Sequence, residues 1–143
     1  MIKPSADAAV AVMVRDSGPD RSVLTLCRKE DGSNTPLWVF PGGKVEHGES
    51  TICAAQRELY EETGVQGADA VLIDERLHPL TGKNIAYVLV QFKDGEATVC
   101  EPDHATLVEW TPVSELSAKF AGHLSPTVES YLKTGSCNQT LPG

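Results

Sequence analysis

No stretch of this 143-residue chain holds eighteen consecutive apolar residues, so no transmembrane helix is expected. The N-terminal "MIKPSADAAVAVMVRD" has only a short apolar run beside Arg15 and Asp16. It reads as a strand rather than a signal peptide, which makes the cytoplasm the expected location. Basic residues are scarce: 12 Lys and Arg face 20 Asp and Glu, for a net charge of −8. A chain so acidic is unsuited to duplex DNA or RNA, where Lys and Arg must neutralise phosphate. A small phosphorylated ligand remains open if a divalent cation mediates the contact. The four cysteines, Cys27, Cys53, Cys100 and Cys137, form no Cys-x-x-Cys pair, so neither a zinc site nor a redox pair is indicated. They read as free thiols in a reducing compartment.

What is present suits one domain over residues 1–143, with an ordered core over about 6–133 and a tail over about 136–143. "DAAVAVMV" and "VLTLCR" read as two strands around the turn "DSGPDRS". "KEDGSNTP" is a loop, and the short strand "LWVF" runs into Pro41-Gly42-Gly43. A helix begins at the N-cap Ser50 and stops at Gly64. "AVLIDERLHPL" and "NIAYVLVQF" follow as strands joined through "TGKN", and "TLVEWTPV" as another. Ser125-Pro126 starts a second helix, "PTVESYLKT", ended by Gly135. The expected fold is mixed strands with two helices, an α+β or α/β/α sandwich.

The anomaly is electrostatic. Five glutamates fall between Glu46 and Glu62, three of them within Glu58–Glu62. On a helix, Ile52, Ala55, Leu59 and Thr63 share one face, which should pack on the sheet. Glu58, Glu61 and Glu62 stand at i, i+3 and i+4 on another. Glu58 and Glu62 are a like-charge i,i+4 pair, costing about 0.2–0.5 kcal/mol, and acids at a helix C-terminus oppose its dipole. A solvated acidic face would explain the composition alone. A hard-cation site explains more, because Mg²⁺ or Mn²⁺ prefers carboxylate and carbonyl oxygens. The preceding "PGGKVEHGE" adds a glycine-rich loop whose backbone can approach a ligand closely.

Taken together these residues are Gly43, five residues, Glu49, seven residues, Arg57-Glu58-Leu59, one residue, Glu61-Glu62, one residue, and Gly64-Val65. The pattern has nine fixed positions over 23 residues and resembles the signature of the Nudix hydrolases, the MutT-like pyrophosphohydrolases. The resemblance implies an α/β/α sandwich that cleaves a nucleoside diphosphate linked to another group, using Mg²⁺ or Mn²⁺. It implies that Glu58, Glu61 and Glu62 bind metal with the carbonyl of Gly43, and that Arg57 orients a neighbouring glutamate. Glu49 would tie the loop to the helix, and Glu58 or Glu61 would accept the proton of the attacking water. A further acid often lies about seven residues before a strand tryptophan in the family. Asp103 holds that place before Trp110, with Glu101 second. Arg28 and Lys44 are candidates for phosphate contacts.

The substrate implied is a nucleoside triphosphate, oxidised or not, yielding a monophosphate and pyrophosphate. ADP-ribose or a nucleotide sugar is the alternative, hinted at by Pro79, 14 residues past the motif. No asparagine occurs in "GHLSPTVES", where some oxidised-purine triphosphate enzymes read the base. A non-catalytic nucleotide sensor is the alternative of another class. No nucleic-acid polymer or membrane partner is expected, and the chain is read as a monomer or homodimer.

Overall fold

The computed structural model describes residues 6–17, 20–28, 37–79 and 82–134. In chain order the elements are β1 (Ala8–Ser17), β2 (Asp20–Arg28), β3 (Leu37–Val39), β4 (Gly42–Lys44), α1 (Thr51–Thr63), β5 (Gln66–Leu77), β6 (Asn84–Asp94), β7 (Ala105–Pro112), α2 (Val113–Phe120) and α3 (Pro126–Thr134). The strands form one seven-stranded mixed sheet ordered β3-β2-β1-β6-β5, with β4 also on β1 and β7 also on β2. β1 and β6 pair in parallel, and the other pairings are antiparallel.

β1 is the central strand, and its near-continuous apolar run follows from burial on both faces. Ala9, Ala11 and Met13 turn towards α1, and Val12 and Val14 turn towards α2 and α3. β6 repeats the alternation in register, with Ala86 opposite Ala9 and Val88 opposite Ala11. Small side chains on the sheet meet Ala54 and Ala55 of α1, all of them fully buried. The helix can therefore sit close to the strands, with Leu59 as its largest buried anchor. The expected apolar face is confirmed: Ala55, Leu59 and Thr63 are buried, and Ile52 packs against the core.

Three corrections apply. A third helix, α2, lies where the strand "TLVEWTPV" was expected to end. β7 stops at Pro112, which cannot donate to the ladder, and Leu116 and Phe120, four residues apart, are buried against the sheet. β4 was not expected, because Gly42, Gly43 and Lys44 carry no strand pattern; their pairing with β1 creates it. The first two strands run on to Ser17 and from Asp20, further than the turn-forming residues suggested. The loop "KEDGSNTP", the helix stop Gly135 and the tail lie outside the described residues. Among the described residues, no helix is long and apolar enough to cross a membrane.

Candidate functional site

α1 is pinned at both ends. Ser50 Oγ accepts from the Cys53 N–H at 3.0 Å, the N-cap bond. Gly64 turns left-handed (φ 79°) and its N–H reaches the Tyr60 carbonyl at 2.9 Å. Helix C-termini leave carbonyls without partners. Here the loop before β7 supplies donors: Thr98 N–H to the Thr63 carbonyl and Cys100 N–H to the Glu62 carbonyl, each at 3.0 Å. These two bonds bring Glu101 alongside the acidic turn.

The N-terminal side comes from β4. A Cβ on Gly42 would strike the Ala9 carbonyl and Val10, so only glycine lets β4 lie this close to β1. A Cβ on Gly43 would strike the Glu58 carboxylate. The loop backbone and Glu58 are thus in direct contact, as a shared metal shell or phosphate cradle would require.

Arg57 organises the acids. Nε and Nη2 grip Glu49 at 2.7 and 3.0 Å, Nη1 reaches Glu58 at 3.3 Å and Glu61 at 3.2 Å, and Nη2 also donates to the Lys44 carbonyl at 3.1 Å. A guanidinium has five N–H donors, so Arg57 is fully engaged. Glu49 also accepts the Glu46 N–H at 3.0 Å, which locks the loop to the helix. The Arg57 hydrogen bond, and then that N–H, hold the Glu49 carboxyl below its ordinary range. This cation is what offsets the repulsion between Glu58 and Glu61.

Glu62 departs from the face expected for it. It is buried against the sheet, and Oε1 accepts the Gly42 N–H at 3.0 Å. Burial pushes its carboxyl up to about 7; the Gly42 bond opposes that rise, and Glu58 and Glu101 reinforce it. Glu58 is raised as well, first by burial, with Arg57 opposing and Glu61 and Glu101 adding. Glu101, the second choice from sequence, therefore faces the cluster. Asp103 is exposed in the following turn and makes no hydrogen bond or ion pair among the described residues.

A cavity of about 10 Å³, large enough for one water at most, lies between Arg28, Phe40, Glu62, Glu101 and His104. Arg28 is exposed at the end of β2, close enough to Glu62 to hold its carboxyl down in part. The Lys44 side chain is exposed, and the structure ties that residue to the site through its carbonyl. His104 was missed from sequence, because a histidine in "EPDHAT" has no spacing that marks it.

Gly43, Glu58, Glu61 and Glu62 offer only oxygen donors, which fits a hard divalent cation in type. The contact of Glu58 with Gly43 and the buried Glu62 carboxyl support that fit, since each would be relieved by a cation. Among the described residues, no three His, Cys, Asp or Glu side chains are already gathered around a single point.

Comparison with known proteins agrees with the geometry. Residues 5–131 match the NUDIX domain. The CTP pyrophosphohydrolase of Escherichia coli K12 is 27% identical over 126 residues, covering 88% of this chain and 90% of that protein. The MutT NUDIX hydrolase structure from Burkholderia pseudomallei superposes with a TM-score of 0.60 at 26% identity, over 78% of this chain and 86% of that one. The NUDIX domain of Shewanella oneidensis NrtR, solved with ADP ribose, gives 0.72 at 18% identity over 93% and 90%, a likeness of fold. The chain belongs to the Nudix hydrolase family of pyrophosphohydrolases.

Proposed function

We propose that this enzyme splits the phosphoanhydride bond of a nucleoside triphosphate, releasing a nucleoside monophosphate and pyrophosphate, with Mg²⁺ or Mn²⁺ as cofactor. The observation that carries the reading is that the Gly42-Gly43 backbone meets both Glu58 and the buried Glu62, with Arg57 bonded to Glu58. Glu58, Glu61, Glu62 and the Gly43 carbonyl would hold the ion, with Glu101 facing them in the place first read for Asp103. When bound, the ion neutralises phosphate charge and acidifies the attacking water.

The remaining work falls to the chain. Glu58 or Glu61 accepts the proton of the attacking water. Glu58 is held against Gly43, whereas Glu61 is nearly half exposed (46%) and, among the described residues, tethered only by Arg57. Arg57 and Glu49 keep the loop and the helix in one geometry, so the acids need little rearrangement at the moment of reaction. Arg28 and Lys44, both exposed, would meet phosphate oxygens. The E. coli relative named for CTP supports a triphosphate. ADP ribose, which the NrtR domain binds, is the second substrate class to test. The sensor alternative has against it that every motif carboxylate is retained.

The test is a panel of nucleoside triphosphates, oxidised purine triphosphates, nucleotide sugars, ADP-ribose and dinucleoside polyphosphates. Turnover should appear with Mg²⁺, vanish in excess chelator and return when metal is restored. Full turnover in chelator, or no cleavage of any member, would overturn the proposal.

A further inference from the structure

The turn after the strapped loop holds a residue that the motif does not contain. Glu101 is oriented by its own turn: its carbonyl accepts the His104 N–H at 2.9 Å and the Ala105 N–H at 3.1 Å. The side chains close the same turn, with His104 Nδ1 at 3.4 Å from Glu101 Oε1. Both side chains line the cavity against Glu62 and Arg28. β2 and β7 place Arg28 opposite Ala105, with a register shift at Cys27 and Arg28, so this turn is fixed at the same end of the sheet as the acids.

A carboxylate next to Glu58 and Glu62 is repelled by both, and Glu101 is 37% exposed, so the path away from them is open. Something must hold it inward. Arg57 is saturated by Glu49, Glu58, Glu61 and the Lys44 carbonyl. We infer that His104 is a positioning residue, whose imidazole holds the Glu101 carboxylate over the Glu58–Glu62 cluster and so completes the cation-binding set. The inference rests on the metal-dependent reading given above. The contact is an ion pair when the imidazole carries its second proton. Partners of this kind that orient a ligand typically matter 10- to 100-fold in affinity. For a pair this exposed, the lower end applies.

The test is Mn²⁺ binding to the full chain, followed by electron paramagnetic resonance, for the wild type, Glu61→Gln, Glu101→Gln, His104→Ala and the Glu101→Gln/His104→Ala double variant. Circular dichroism verifies that each is folded. Glu101→Gln and His104→Ala should each weaken Mn²⁺ by about 10-fold. The double variant should be no weaker than Glu101→Gln alone, because His104 acts through Glu101. His104→Gln, which keeps an N–H donor, should recover most of the loss. Unchanged affinity in His104→Ala, or losses that multiply in the double variant, would overturn the inference. If Glu61→Gln weakens binding and His104→Ala does not, only this inference falls. If the wild type does not bind Mn²⁺, or Glu61→Gln leaves binding unchanged, the metal reading falls with it.

Discussion

The backbone N–H of Gly42 donates to Oε1 of Glu62 at 3.0 Å, joining the strand before the motif loop to the last turn of its helix. Among the described residues it is the one hydrogen bond to a carboxylate buried beside another acid. Burial raises the Glu62 carboxyl from 4.5 to about 7, so the fold favours its neutral form. That contribution is fully present below pH 4.5 and is lost as pH rises through 7. Above that pH the ionised group costs on the order of 3 kcal/mol. Glu62→Gln keeps the acceptor and removes the charge. In chelator at pH 8 the variant should melt at the same temperature as the wild type or higher, with the gain shrinking towards pH 5. A large drop in melting temperature at pH 8 would make Glu62 a structural residue instead.

Gly43→Ala tests the contact on the other side of the site. The new Cβ meets the Glu58 carboxylate, the far end of a flexible side chain rather than backbone, so the fold should survive. Turnover should fall by roughly 10- to 100-fold, as for a misplaced metal ligand. Wild-type turnover in that variant would show that Glu58 need not lie against the loop.

Arg57→Lys keeps the charge and loses the fork. A lysine has three donors and cannot span Glu49, Glu58, Glu61 and the Lys44 carbonyl. Stability should drop by about 1–2 kcal/mol in thermal or urea unfolding, the scale of a lost charge-assisted bond. Turnover should drop by at least ~10-fold. A variant indistinguishable from wild type in both would reduce the Arg57 network to a surface contact.

Across the sheet, the rings of His78 and His123 lie 5.6 Å apart, and Arg76 Nη2 donates to the His123 carbonyl at 2.7 Å. Burial is the first cause that lowers both imidazoles from 6.5, and Arg76 adds to it in each. The neighbouring Asp74 is engaged by the Ser125 hydroxyl. A base with a depressed folded value gives stability that is present above 6.5 and lost as pH falls. Melting temperature should therefore decline between pH 7 and 5.5, and a His78→Gln/His123→Gln double variant should show a shallower decline. Equal slopes in the two proteins would remove this pair from the pH response.

The helix bounds, the fold class and the motif were legible because each rests on local chemistry. Ser50 and Gly64 cap α1 as their residue types dictate, and Ala55, Leu59 and Thr63 form the expected buried face. Glu62 was placed with the exposed acids, because helical spacing cannot show that Gly42 reaches over to shield it. Glu101 was only the second choice behind Asp103, and His104 was missed, for a related reason. Their position follows from two backbone bonds between a loop and a helix end more than thirty residues earlier in the chain. α2 was lost because eight residues behind a proline carry too short a period to stand out from the strand before them.

The phosphoanhydride reading meets its most direct test in ¹⁸O-labelled water. A triphosphate is turned over with Mg²⁺, the products are separated, and each is weighed by mass spectrometry, for the wild type and for Glu61→Gln. The expected result is a nucleoside monophosphate and pyrophosphate, one of them carrying the label, with turnover at least ~10²-fold lower in Glu61→Gln. Orthophosphate as the sole phosphate released, or undiminished turnover in Glu61→Gln, would contradict it.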